Sequence, residues 1–226
     1  MFITQNSKSL RRTAQNSMNF LSLFPLNLVV FPHEDLNLHI FEPRYRQLIN
    51  ECLDEKKTFG IPAFINSKLL GYGTEVEVKQ LSKRYGDGRM DIKTKGLRIF
   101  RIVDFQNPVK EKLYAGGEVV FIENEDLSET INPYLLSLVE KLYQLLKVKV
   151  DYDKPEYAPF SYRIVHKIGI SVAEEYALLT MPSEKQRQEK LIEHLELILP
   201  IVAEVERTKE RIAMNGHFKE LDALDF

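Results

Sequence analysis

The sequence predicts an α+β fold: a curled β-sheet or pseudo-barrel with one short helix, followed by a helical bundle. Three observations predict it. From Phe20 to Ile122 apolar residues recur mainly at the two-residue period of strands. One proline-initiated helical stripe interrupts them. After the acidic stretch Glu123-Asn124-Glu125-Asp126 the apolar period becomes that of helices.

Taken in order, residues 1–18 read as a disordered leader. Residues 1–33 hold no Asp or Glu, carry Lys8, Arg11 and Arg12, and run into the apolar stretch from Phe20 to Phe31, which superficially resembles a targeting peptide. Pro25, Asn27 and Pro32 break that stretch, and no small-residue cleavage pattern follows. Leu36, Leu38 and Ile40 then alternate with Asn37, His39 and Phe41, the pattern of a strand with one face on a core. Pro43 suits the first position of a helix reaching about Glu55, with Tyr45, Leu48, Ile49, Cys52 and Leu53 as its buried stripe. Phe41 and Tyr45, flanking this corner, are both expected to pack. Further strands are expected at 60–65, 74–83, 89–95, 97–105 and 114–122. Tyr85-Gly86-Asp87-Gly88 supplies the glycines a hairpin turn needs, and Gly96 marks a bulge or corner that lets the sheet curl. In the C-terminal half, Asn132-Pro133 caps and opens a first helix, Ser161 begins a second that stops at Gly169, and Ser171 with Glu174 has capping-box spacing. Ser183 with Gln186 repeats that spacing before a last helix running past Pro200 towards Ala213. The expected organisation is a β-rich domain at 19–123, an acidic linker at 124–131, a bundle at 132–213 and a tail at 214–226.

Composition excludes several function classes. Thirty-three acidic against 31 basic side chains leave a net charge of −2, so the chain lacks the basic footprint of a nucleic-acid binder. Cys52 is the only cysteine, which forbids an internal disulfide or a cysteine-rich zinc site and fits a reducing, cytoplasmic compartment. Within a helical apolar stripe, that thiol reads as buried and inert. No apolar run is long enough to span a bilayer, and no membrane partner is expected. Without a Gly-Lys pair there is no phosphate-cradling loop, no serine sits in a nucleophile elbow, and no two histidines have the spacing of a helical zinc site. No cofactor is expected.

Two clusters resemble sites. His33, Asp35, Asn37 and His39 share one face of an extended strand and could hold a metal, yet they are also the polar side of a strand whose other side is Leu36, Leu38 and Ile40. The second reading is preferred, and no metal ligand is assigned. The pairs Arg44/Arg46 and Arg98/Arg101 could bind anions, but pairing with nearby acids such as Glu42 and Asp104 favours a scaffold role.

Phe24-Pro25-Leu26, Phe31-Pro32 and the run Leu38-His39-Ile40-Phe41-Glu42-Pro43-Arg44-Tyr45 closely resemble the opening of the Lon protease N-terminal domain family. Gly60-Ile61, Gly73-Thr74, Asp87-Gly88-Arg89 and Gly96-Leu97-Arg98-Ile99-Phe100-Arg101-Ile102 are similar to the family's later strands in the same order, and 183–186 and 191–199 to its helices. The resemblance covers about residues 22–212. It implies a PUA-like β domain followed by a bundle, used by the parent enzyme to engage unfolded or tagged polypeptides. It also implies that Phe24, Pro25, Phe31, Pro32, His39, Phe41, Glu42, Pro43, Arg44, Tyr45, Gly96, Leu97, Arg98 and Phe100 are mainly structural. The chain ends at Phe226, where the family's full-length proteases continue into ATPase and Ser-Lys peptidase modules, so neither activity is expected.

The leading reading is therefore a non-catalytic protein- or peptide-binding module, an adaptor or regulator of proteolysis. Its expected partners are unfolded or tagged polypeptide segments and the protease or chaperone they are destined for. The alternative is a PUA-like nucleic-acid or small-ligand binder. Its contacts would lie at Arg84, Tyr85 and Arg89, where basic and aromatic residues interleave.

Overall fold

The computed structural model describes residues 18–123, 130–149 and 158–219. Six strands, β1 (Asn19–Leu23), β2 (Asp35–Ile40), β3 (Phe59–Ile65), β4 (Lys68–Arg84), β5 (Met90–Ile102) and β6 (Ala115–Ile122), share one sheet. It runs β5-β4-β3-β1-β6, and β6 pairs back onto β5, so five strands close into a barrel-like ring with β2 attached outside on β5. Among the six strands, β1 and β3 alone pair in parallel, and a parallel bridge between Leu26 and Ala63 continues that pairing. The PUA-like pseudo-barrel implied by the resemblance is the fold observed.

Strand β5 makes the closure possible by dividing one of its edges. Met90–Lys95 pairs with β2, and Ile99–Ile102 pairs with β6. Between them stands Gly96, with a register shift against β4 at Glu75/Val76. A Cβ there would lie 2.2 Å from the Phe31 carbonyl oxygen, so only glycine lets that backbone in. The strands expected at 89–95 and 97–105 are thus one bent strand, because a bulge bends a strand without ending it. The strand expected from Thr74 begins at Lys68, after a turn in which Asn66 (φ 50°) and Ser67 (φ 60°) are both left-handed, a hairpin geometry built without glycine. The glycine-rich turn at 85–88 forms as expected. The Tyr85 N–H donates to the Arg89 carbonyl at 2.9 Å and Gly88 has φ 85°.

Inside the ring, Leu21, Leu23, Phe100, Ala115 and Val119 are buried. The Phe100 ring fits because Gly60 and Gly73 flank it; a Cβ on either would come within 2.8 Å of it. Helix α1 (Pro43–Glu55) closes one side, packing Tyr45, Leu48, Ile49 and Cys52 onto Ile40, Met90, Ile92, Phe59 and Val76. Burial pushes the Cys52 thiol up to about 12, consistent with an inert core thiol.

The helical half comprises α2 (Pro133–Leu146), α3 (Phe160–Ile164) continuing as a 3₁₀ turn to Lys167, α4 (Val172–Leu179) and α5 (Glu184–Lys219). Asn132 caps α2 by accepting from the Tyr134 N–H, Gly169 follows the 3₁₀ turn at φ 73°, and the Ser171–Glu174 capping box opens α4. Helix α5 runs through Pro200 and past Ala213. Apolar residues of α2, α3 and α4 and of the first half of α5 share one cluster with Val29, Phe31, Ala63 and Ile99 of the β half. The acidic stretch at 124–126 lies outside the described residues.

At the start of α5 a polar cluster is buried. Glu184 accepts from the Ser161 N–H at 2.9 Å and its hydroxyl at 2.5 Å, and pairs with Arg187, which is 0% exposed. Arg187 also donates to the Met181 carbonyl at 2.6 Å and lies 4.4 Å over the Tyr162 ring. Gln188 donates to the Thr130 carbonyl and accepts from the Asn132 N–H, tying α2 to α5.

Candidate polypeptide-binding surface

The corner between β2 and α1 carries the most specific sequence motif. Glu42 has extended backbone at the N-cap, its carbonyl accepts from the Tyr45 and Arg46 N–H groups, and Pro43 occupies the first turn. Tyr45 is buried and stacks on Phe24 at 3.7 Å between centroids, while the Arg44 side chain bonds Glu42 at 2.9 Å and covers the Tyr45 ring. Tyr45 is thus packed inside the corner, whereas Phe41 is 59% exposed, contrary to the expectation that it packs with Tyr45. The period of the strand puts it on the polar side with Asn37 and His39, and the helix turns away before it can be covered.

Across β5, the β4–β5 hairpin comes beside that corner. His39 bonds Asp91 at 2.6 Å, and the Tyr85 hydroxyl donates to the other carboxylate oxygen at 2.7 Å. These two bonds hold the Asp91 carboxyl below the usual carboxylate range. Phe41 lies 6.1 Å from His39, and Tyr85 meets the His39 ring edge-on at 5.9 Å. The structure therefore brings Tyr85 and Arg89 together with His39 and Phe41. Arg84 is separate, donating to Asn50 of α1 at 2.9 Å. The Tyr85 ring already carries Lys83 at 4.4 Å and Arg89 at 5.2 Å, and Arg89 is paired with Asp87. A base stacking on Tyr85 would have to displace those cations.

The other motif residues lie elsewhere in the fold. Phe31 is fully buried, Pro32 precedes the left-handed His33 (φ 68°), and Pro25 and Leu97 are half-buried. Arg98 pairs not with Asp104 but with the buried Glu75 at 2.8 Å, and lies 3.6 Å over the Phe121 ring. Residue separation hid this pair, since β4 and β5 meet only through the hairpin. Among the described residues no group of three His, Cys, Asp or Glu side chains is placed to hold a metal. His33 lies in the turn before β2, apart from the row of Asp35, Asn37 and His39.

The model of the ATP-dependent protease La (LON) substrate-binding domain matches residues 21–196, from β1 through most of the packed part of α5. The chain belongs to the Lon substrate-binding domain family. It is similar to a Lon N-terminal domain protein from Xanthomonas campestris, with 26% identity, a TM-score of 0.62, and coverage of 77% of this chain and 97% of that one. The N-terminal domain of Mycobacterium avium complex Lon protease, at 14% identity and a TM-score of 0.53 over 79% of this chain and 98% of that one, shares the fold. A LON peptidase N-terminal domain and RING finger protein of Schizosaccharomyces pombe is 24% identical over 75% of this chain. The chain spans 43% of that relative's length. The Lon domain matched here is a substrate-binding and not a catalytic one, and no helix among the described residues is long and apolar enough to cross a membrane.

Proposed function

We propose that the chain is a non-catalytic polypeptide-binding module that serves as an adaptor or regulator of proteolysis in the cytoplasm. The observation that carries this reading is the extent of the family match, which takes in both the barrel and the helices packed on it. Exposed apolar side chains on the β half, Phe20, Phe41 and Phe64 among them, add support, since such groups are what an unfolded segment can cover. The nucleic-acid alternative has less behind it, because Arg89 is paired with Asp87 and Lys83 lies against the Tyr85 ring that a base would need.

The test is binding of the intact chain to a reduced, carboxymethylated unfolded protein and to single-stranded RNA across a salt series. Saturable binding to the unfolded protein with weak salt dependence is expected, without ATP hydrolysis or cleavage of the bound polypeptide. Tighter, steeply salt-dependent binding to RNA would favour the alternative.

A further inference from the structure

We propose that the outer edge of β2 receives the guest polypeptide as an added, antiparallel strand; this rests on the polypeptide-binding reading above. Among the described residues β2 pairs only with β5, which leaves its other edge without a strand. Which residues face that edge follows from the hydrogen-bond phase. The Gly96 N–H donates to the Glu34 carbonyl at 2.8 Å, and the register runs on as Asp35↔Lys95 through Ile40↔Met90 without a shift. In an antiparallel ladder bonded pairs alternate, so Leu36, Leu38 and Ile40 bond to β5. The other side of β5 agrees: Arg89 bonds to Tyr85, putting the odd-numbered residues of β5 towards β4. The main-chain N–H and C=O groups of Asp35, Asn37 and His39 therefore point outward, and all three residues are exposed.

Open edges are ordinarily blunted by lysine, proline, a bulge or an inward charge. The six residues Asp35-Leu36-Asn37-Leu38-His39-Ile40 contain none of these on the core side and no register shift. Leu36 and Leu38 are only partly buried, and apolar side chains of an added strand would lie beside them.

Charge across the sheet specifies the guest further. In register, the polar face forms the rows Glu77–Lys95–Asp35, Gln80–Lys93–Asn37 and Lys83–Asp91–His39. Continuing the alternation of sign calls for a base opposite Asp35, a polar residue opposite Asn37 and an acid opposite His39. An antiparallel guest then reads acid, apolar, polar, apolar, base. A second copy of β2 meets the same pattern, but a six-residue strand is about 20 Å long. One strand of that length laid along its edge covers far less than the roughly 1,200–2,000 Å² that a stable dimer buries. That scale suits transient capture of an extended segment.

The experiment titrates the intact chain with the synthetic peptide Ser-Glu-Val-Thr-Val-Lys-Ser, following backbone amides by NMR. Protection of the Asp35, Asn37 and His39 amides from exchange is expected, and a same-composition peptide whose alternation is scrambled should give none. Asn37→Pro removes an outward N–H while leaving the β5 ladder intact, and should weaken binding roughly tenfold or more. If that variant does not fold, N-methylation of the peptide decides instead. Methylation at the threonine, whose N–H faces β2, should abolish binding, and methylation at the valines, whose N–H groups face away, should not. Binding that ignores both changes, or concentration-dependent dimerisation through β2 in place of peptide binding, overturns the proposal. Retained binding of the unfolded protein with an unprotected β2 edge overturns the edge assignment alone. Loss of all polypeptide binding overturns the functional reading as well.

Discussion

Among single residues, Arg187 concentrates the most structural consequence. A fully buried guanidinium is tolerated only because Glu184, the Ser161 hydroxyl, the Met181 carbonyl and the Tyr162 face surround it. Removing one partner leaves the others desolvated and unpaired. Arg187→Ala is expected to cost about 3–5 kcal/mol in urea unfolding, with far-UV helicity retained at low denaturant. Glu184→Gln should cost a comparable amount, since both carboxylate oxygens accept and an amide would turn an NH2 towards one set of donors while leaving the guanidinium charge uncompensated. An unchanged unfolding midpoint for Arg187→Ala would show that the cluster is rebuilt by neighbouring groups. Arg187 stands in a charged run, 183–190, that reads in the sequence as solvated surface; nothing in its spacing announces burial.

At the level of elements, the long strand β5 decides whether the barrel closes. Its switch from β2 to β6 occurs across Gly96, where the Phe31 carbonyl occupies the space of a side chain, and where the His33 N–H bonds the Gly96 carbonyl at 2.9 Å. Gly96→Ala must push that backbone aside. A loss of about 1–3 kcal/mol is expected by overpacking alone, read as a lower melting temperature, with the β2 and β6 amides exchanging faster than those of α2. Gly71, with open space where its Cβ would be, is the control, and Gly71→Ala should leave the melting temperature nearly unchanged. The same element explains why Phe41 is exposed: β2 ends at Ile40, and α1 turns its own stripe onto the opposite face of the sheet.

Over the whole molecule, the two halves are joined by a shared apolar cluster and by His166. Phe31 contacts Tyr162 and His166 at 5.0 and 5.3 Å, and His166 bridges Glu34 of the β half at 3.2 Å and Glu175 of α4 at 2.7 Å. Burial alone would lower the imidazole pKa, but the bonds to Glu175 and Glu34 outweigh it and raise it to about 9. With a folded value above the unfolded one, the contribution is fully present below about 6.5 and is lost as pH rises through about 9. Urea stability should therefore fall between pH 7 and 9.5, and His166→Asn should flatten that slope. A slope equal to the wild type's would remove His166 as the cause. The division at 124–131 remains a proposal, with a matching expectation. Limited proteolysis should cut there first, and the two fragments should stay associated, because separation would expose Val29, Phe31, Ala63 and Ile99.

Much of this protein was determined by the sequence alone, wherever the deciding physics is local. The alternation of Leu36, Leu38 and Ile40, the proline at the start of α1, the glycine turn at 85–88, the Asn132 cap and the Ser171–Glu174 box all appear where the residues require them. Each depends on neighbours within a few positions, so spacing suffices. The family was also legible, since ordered motifs persist in a linear chain. The tertiary structure decided what depends on distant pairings: that 89–95 and 97–105 are one strand, that Arg98 meets Glu75, that Arg187 is buried, and that Phe41 is left in solvent. It also decided that β2, whose Asp35, Asn37 and His39 are in sequence merely the polar side of a strand, has a strand neighbour on one edge alone among the described residues. Period two separates the faces of a strand, but which edge lacks a partner is a property of the whole sheet.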